Sequence, residues 1–274
     1  MTDFDLYAKI QETLVLLDAG EFPQVHDYLM SFGGLDDVTI DATPYEIANR
    51  LLVCDMSEPL PEVVRDLIAE LFEDACEEGN AEAMNDLGAQ YYEGARGFEQ
   101  SFEKAVDCYK LAAAKGSRQA QENLGYCYYY GRNMPVDYEK AFHYFALGAF
   151  DGHIISLYKI GDMYLNGYYV EKNPSEAFYI YNRCLETMTD EAAPACAGPV
   201  FLRVGNAFLN GEGTEVNAKN ALICFQKAEA YLYDMVAAGQ VMYKKNLQDA
   251  ISGQAKARAI LAGALPAKDW TFDD

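Results

Sequence analysis

The sequence predicts an all-α chain of stacked antiparallel helix pairs, and three observations carry that prediction. The first is a glycine register. Gly88, Gly125, Gly161 and Gly205 follow one another at intervals of 37, 36 and 44 residues, and six residues after each comes another glycine, Gly94, Gly131, Gly167 and Gly211. The second is what flanks the first glycine of each copy: an aliphatic residue directly before it (Leu87, Leu124, Ile160, Val204) and an aromatic three residues after it (Tyr91, Tyr128, Tyr164, Phe208). The third is an alanine 16 or 17 residues downstream (Ala105, Ala141, Ala177, Ala221), with an aromatic four positions beyond it (Tyr109, Phe145, Tyr181, Phe225).

Taken in order, the chain opens with Leu6, Ile10, Leu14 and Leu17 at helical spacing, a stripe that stops at Gly20. A short helix near residues 24–31 follows, then a Gly33-Gly34 loop. Thr43-Pro-Tyr-Glu46 reads as a capping box with proline at the first helical position, opening a helix over residues 45–54. Residues 61–79 match the second helix of a repeat through Phe72, Ala75 and Gly79, with Ile68 in place of the small alanine. In the repeats themselves, residues three or four apart share a helix face. The aliphatic residue, the glycine and the aromatic therefore make one buried stripe. A glycine within a helix costs about 1 kcal/mol against alanine, so four of them imply close approach of the second helix, with the matching alanine as the expected contact. The glycine six residues on ends the first helix, where a left-handed residue is needed. Residues 230–264 read as an alanine-rich helical run broken at Gly253.

The Leu-Gly-x-x-Tyr-x-x-Gly of Leu87–Gly94, followed by Lys104-Ala105 and Tyr109, resembles the Sel-one-like repeat (SLR), a relative of the tetratricopeptide repeat. Four copies cover roughly residues 81–232. The resemblance implies a right-handed α-solenoid, SLR/TPR-like, and the role of an adaptor that binds proteins. There are departures: Glu176 and Asn220 replace the expected lysine, and extra residues near 189–198 bring in Pro194 and Pro199. The expected organisation is an acidic helical cap over 1–79 with a degenerate repeat, four repeats over 80–232, a capping helical region over 233–265 and a tail over 266–274.

Charge narrows the partners. The chain has 43 Asp and Glu against 21 Lys and Arg, a net −22. This argues against a sequence-independent grip on nucleic acid or on an anionic membrane surface. Neither a signal peptide nor an apolar run long enough to span a bilayer is expected. The seven cysteines are odd in number and form no Cys-x-x-Cys, which suits a reduced, cytoplasmic protein. Cys108 and Cys224 occupy equivalent repeat positions and read as buried thiols, whereas Cys196, in the insertion, is expected to be exposed.

A search for chemistry finds little. No nucleophile elbow or phosphate-binding loop is present, and the three histidines (His26, His143, His153) have no metal-ligand spacing. The expectation is therefore a non-enzyme without cofactor or metal. What remains is a surface: by similarity to tetratricopeptide arrays, positions −3, +1, +4 and +5 around the first glycine line the concave side. They supply Asn85, Tyr92, Glu93, Glu122, Tyr126, Tyr129, Tyr130, Tyr158, Asp162 and Asn166 as partner-binding residues. Tyrosines offer apolar area at low entropic cost and amides can bond an extended backbone, so the expected partner is a protein or peptide. The carboxylates favour a basic or amine-bearing one. A small-molecule binding or sensor protein of the same fold is the alternative, and an enzyme assembled from scattered residues a further one.

Overall fold

A computed structural model describes residues 3–17, 22–32, 42–54, 59–190 and 192–263. Gly20, the Gly33-Gly34 loop and the tail with Trp270 lie outside them. The described residues hold thirteen α-helices and fall into two compact units, 1–137 and 138–274.

The first unit contains α1 (Asp3–Leu16), α2 (Pro23–Met30), α3 (Pro44–Cys54), α4 (Glu62–Glu77), α5 (Ala81–Glu93), α6 (Phe102–Ala114) and α7 (Arg118–Tyr130). Of the leading stripe, Leu6, Ile10 and Leu17 are buried and Leu14 is half-buried. Helix α1 lies on α4, where Lys9 Nζ reaches Glu70 at 2.9 Å and Asp74 at 3.2 Å. The capping box forms in both directions. Thr43 N–H donates to Glu46 Oε2 at 2.8 Å, and Glu46 N–H donates to Thr43 Oγ1 at 3.2 Å. In α4 the residues Ile68 and Phe72 are fully buried.

The second unit contains α8 (Tyr138–Phe150), α9 (Ile154–Asn166), α10 (Pro174–Thr187), α11 (Ala193–Asn210), α12 (Ala218–Ala237) and α13 (Lys244–Leu261). In both units each helix packs on the next in sequence, and α5 also meets α7, α9 meets α11 and α11 meets α13. This nearest-neighbour packing is what makes a repeat array.

Local signals set the helix ends. Asn80, Ser101, Ser117, Asn173 and Asn217 cap α5, α6, α7, α10 and α12 with their side-chain oxygens. The predicted stop glycines Gly94, Gly131, Gly167 and Gly211 all adopt positive φ, between 64° and 74°.

Three expectations are corrected. The buried glycines receive the aromatic, not the alanine. A Cβ on Gly88, Gly161 or Gly205 would come within 2.6–2.7 Å of the ring of Tyr109, Tyr181 or Phe225. The small residue makes room for a large one, and the alanine lies one turn away. The C-terminal break falls at Gly239 (φ 90°), ahead of a 3₁₀ turn over Val241–Tyr243, and Gly253 sits inside α13 against Phe225. Cys196 is buried, because the inserted residues do not loop out: from Ala193 they extend α11, with Pro199 inside it, and Gly198 packs against Leu232 of the lengthened α12.

Candidate partner-binding surface

In the first unit the candidate residues lie on the neighbouring helices α5 and α7. Asn85 is buried and ties the two together: its Oδ1 accepts from Asn123 Nδ2 at 2.9 Å, and its Nδ2 donates to Asp86 at 3.2 Å. Glu122 is buried as well. The tyrosines are different. Tyr92, Tyr126 and Tyr129 are half-buried and Tyr130 is 47% exposed. Tyr126 stacks on Tyr130 at 6.2 Å, and Tyr129 meets Tyr130 edge-on at 4.8 Å. Tyr92 lies edge-on to Phe102 at 5.2 Å and tilted to Tyr109 at 6.4 Å. Burial pushes the Tyr92 hydroxyl up, while Arg132 pulls it down. Glu93 is exposed by area, yet desolvation by its surroundings still pushes its carboxyl up.

The second unit holds Tyr158 and Asp162 in a buried network, with Asn166 exposed at its edge. Arg203 of α11 grips Asp162 of α9 with Nε and Nη2, each at 2.5 Å from a carboxylate oxygen. The Tyr181 hydroxyl donates to the same carboxylate at 2.9 Å, and Lys159 lies 3.7 Å away. Tyr158 is a buried platform, its ring 4.4 Å below the Arg203 guanidinium. Asn166 Nδ2 donates to the Asp162 carbonyl at 2.7 Å. Burial alone would raise the Asp162 carboxyl, but Arg203, Lys159 and Tyr181 together hold it below its ordinary value. Beside this network lies a pocket of about 240 Å³ with Leu165, Pro174, Phe178, Asn206 and Asn210 in its lining. Asn210 Oδ1 is buried without a hydrogen-bond partner.

The Sel1 repeat family model matches residues 81–117, 118–153, 154–183 and 202–230. The chain is a Sel1-repeat protein. Its four matched Sel1 repeats begin at α5, α7, α9 and α11, so the candidate residues stand on the first helices of the repeats. The mouse protein sel-1 homolog 2 is 33% identical over 130 residues, 47% of this chain and 19% of that protein. The Arabidopsis thaliana ERAD-associated E3 ubiquitin-protein ligase component HRD3B is 38% identical over 71 residues, 26% of this chain and 12% of that protein. The chain thus spans a fifth or less of these relatives. Among solved structures, a Sel1 repeat protein from Oxalobacter formigenes has a TM-score of 0.55 at 20% identity, covering 76% of this chain and 81% of that one. The Escherichia coli protective antigen c5321, which displays an SLR fold, has a TM-score of 0.54 at 19% identity, covering 81% of this chain and 46% of that one. Both likenesses bear out the fold.

Arg203 and Arg132 were missed by the sequence reading. Arg203 stands two residues before its repeat glycine, opposite in charge to Asp162 one residue after the glycine of the preceding repeat. Comparing those two positions between successive repeats was the signal that could have found it. Among the described residues no helix is long and apolar enough to cross a membrane, and no cluster of three or more His, Cys, Asp or Glu is placed to hold a metal ion.

Proposed function

We propose that this Sel1-repeat chain is a protein-interaction adaptor that holds a segment of a partner protein on the α5–α7 face of its first unit. One observation carries the reading: Tyr126, Tyr129 and Tyr130 form an aromatic patch that stays half-buried or exposed on α7. Adjoining polar side chains such as Asn85 and Glu122 are buried in the packing. Tyrosine is enriched among the residues that dominate binding energy. The relatives support it, since HRD3B is named as a component of a ligase. Binding rather than catalysis is the proposed activity. A cytoplasmic setting is part of the proposal: Cys108, Cys127 and Cys184 are free thiols, and free thiols suit a reducing compartment.

The test is affinity capture from the native host with the wild-type chain and with Tyr129→Ala/Tyr130→Ala, followed by affinity measurement on the captured partner. The double variant should lose at least about 2 kcal/mol of binding, the hot-spot threshold, with little change in melting temperature. A folded variant of wild-type affinity would remove the patch from the interface.

A further inference from the structure

Arg132 has a setting that the adaptor reading leaves unexplained. It follows Gly131, the left-handed residue that ends α7, and is half-buried. Its guanidinium lies 4.6 Å from the centroid of Phe102 and 5.8 Å from that of Tyr130, and it hydrogen-bonds the Tyr92 side chain. Its Nε–H is buried with no acceptor. Among the described residues no carboxylate pairs with it, in a chain carrying 43 acidic residues. Lys9 and Lys110 of the same unit each have an acidic partner, Lys9 with Glu70 and Asp74 and Lys110 with Asp107. A cation next to a helix C-terminus is favourable, as is a guanidinium on an aromatic face. Those effects account for where Arg132 sits. They do not account for an arginine left without an anion beside an aromatic patch.

The acids that favoured a basic ligand point the same way. Glu122 and Asp162 are buried, and Asp162 is already gripped by Arg203, so Glu93 is the exposed carboxylate that remains of the three. We propose that Arg132 is the anion-reading residue of the α5–α7 face. It takes a carboxylate from the partner segment, while Tyr129 and Tyr130 hold an apolar side chain next to it. The inference rests on the adaptor reading and gives it a ligand chemistry. A planar guanidinium matches a carboxylate with two parallel hydrogen bonds. A lone arginine fits that single charge, whereas phosphate-reading motifs use arginine clusters. The carboxylate could be an Asp or Glu side chain or the end of a chain.

The experiment presents a random dodecapeptide display library to the full chain in two formats, one with a free C-terminus and one with the C-terminus fused. Selected peptides should carry a carboxylate beside an apolar or aromatic residue. Their synthetic forms should bind Arg132→Gln at least tenfold more weakly, and replacing the carboxylate by an amide should remove most of that difference. Arg132→Lys, which keeps the charge but not the fork, should fall between. Enrichment of acids in both formats assigns a side chain, and enrichment only in the free format assigns a chain terminus. Selected peptides that are basic or acid-free, or that bind folded Arg132→Gln as tightly as wild type, overturn the proposal. If such peptides still need Tyr129 and Tyr130, the adaptor reading stands while this inference falls. Absence of any selected peptide in either format counts against both.

Discussion

Asp162 shows how a residue read as a ligand contact can belong to the core. Its position on α9 was legible, but its neighbour was not, because Arg203 lies 41 residues further along the chain. Two charges that bury each other must both be satisfied. Arg203, Tyr181 and Lys159 all converge on this carboxylate. Removing the charge strands Arg203, so Asp162→Asn should cost about 3–5 kcal/mol, the usual loss when one partner of a buried pair is removed. The sign of the pH dependence follows from the depressed carboxyl. The contribution is fully present above the unfolded aspartate value of about 3.9 and is lost as pH falls through the lower folded value. Denaturant midpoints of wild type and Asp162→Asn should therefore converge below about pH 4. A gap that stays constant from neutral pH into acid would refute the ion-pair account.

At the scale of the helix pair, the organising contact is a ring set into a glycine notch. Phe225 is fully buried, and a Cβ at Gly205 of α11 or Gly253 of α13 would approach its ring to 2.7 or 2.6 Å. The ring is thus met by backbone from two helices and has little room to withdraw. Gly205→Ala would gain about 1 kcal/mol in helix propensity, but overpacking of this kind costs about 1–3 kcal/mol. The net effect should be a loss of stability, read as a lower denaturant midpoint, and Phe225→Leu in the same chain should recover part of it. A midpoint raised by Gly205→Ala alone would show that the notch is not tight. The register of glycine, alanine and aromatic was visible in the sequence, and only the pairing was misread. Periodicity says which residues share a face, whereas which of them meets the glycine depends on how the two helices cross.

At the scale of the whole chain, we propose that the N-terminal helices act as a cover for the first matched repeat, which α4 contacts through α5. Helix α4 contacts α1, α3 and α5, and the Leu60 N–H donates to the Arg96 carbonyl at 3.0 Å. Deleting residues 1–42 removes α1 and α2 but leaves the α3–α4 pair over α5, so a folded and less stable chain is expected. Deleting 1–79 also strips α4 from α5, a helix whose buried apolar residues include Ala83, Met84 and Leu87, and a repeat array without its cap loses solubility. Light scattering during size-exclusion chromatography distinguishes the outcomes. A monomeric 80–274 chain with an unchanged melting temperature would show that the first 79 residues are dispensable for folding.

The sequence by itself determined the class of fold, the number and phase of the repeats and most helix ends. These depend on signals local in the chain: a glycine six residues after another, a Thr43–Glu46 box, a stripe at helical spacing. It also marked the tyrosines of α7 as surface candidates. Only the tertiary structure decided which candidates have surface to offer. Asn85 is consumed by Asn123 at a separation of 38 residues and Asp162 by Arg203 at 41, about one repeat away in each case. Such contacts join successive first helices, and their existence depends on side-chain reach and crossing geometry that no periodicity encodes. The same holds for Cys196 and for the inserted Ala197 and Gly198 beside it, whose burial followed from α11 and α12 lengthening together. A composition-based reading treats an insertion as a loop. Whether it instead continues a helix is decided by the apolar face it finds, here Leu232 against Gly198.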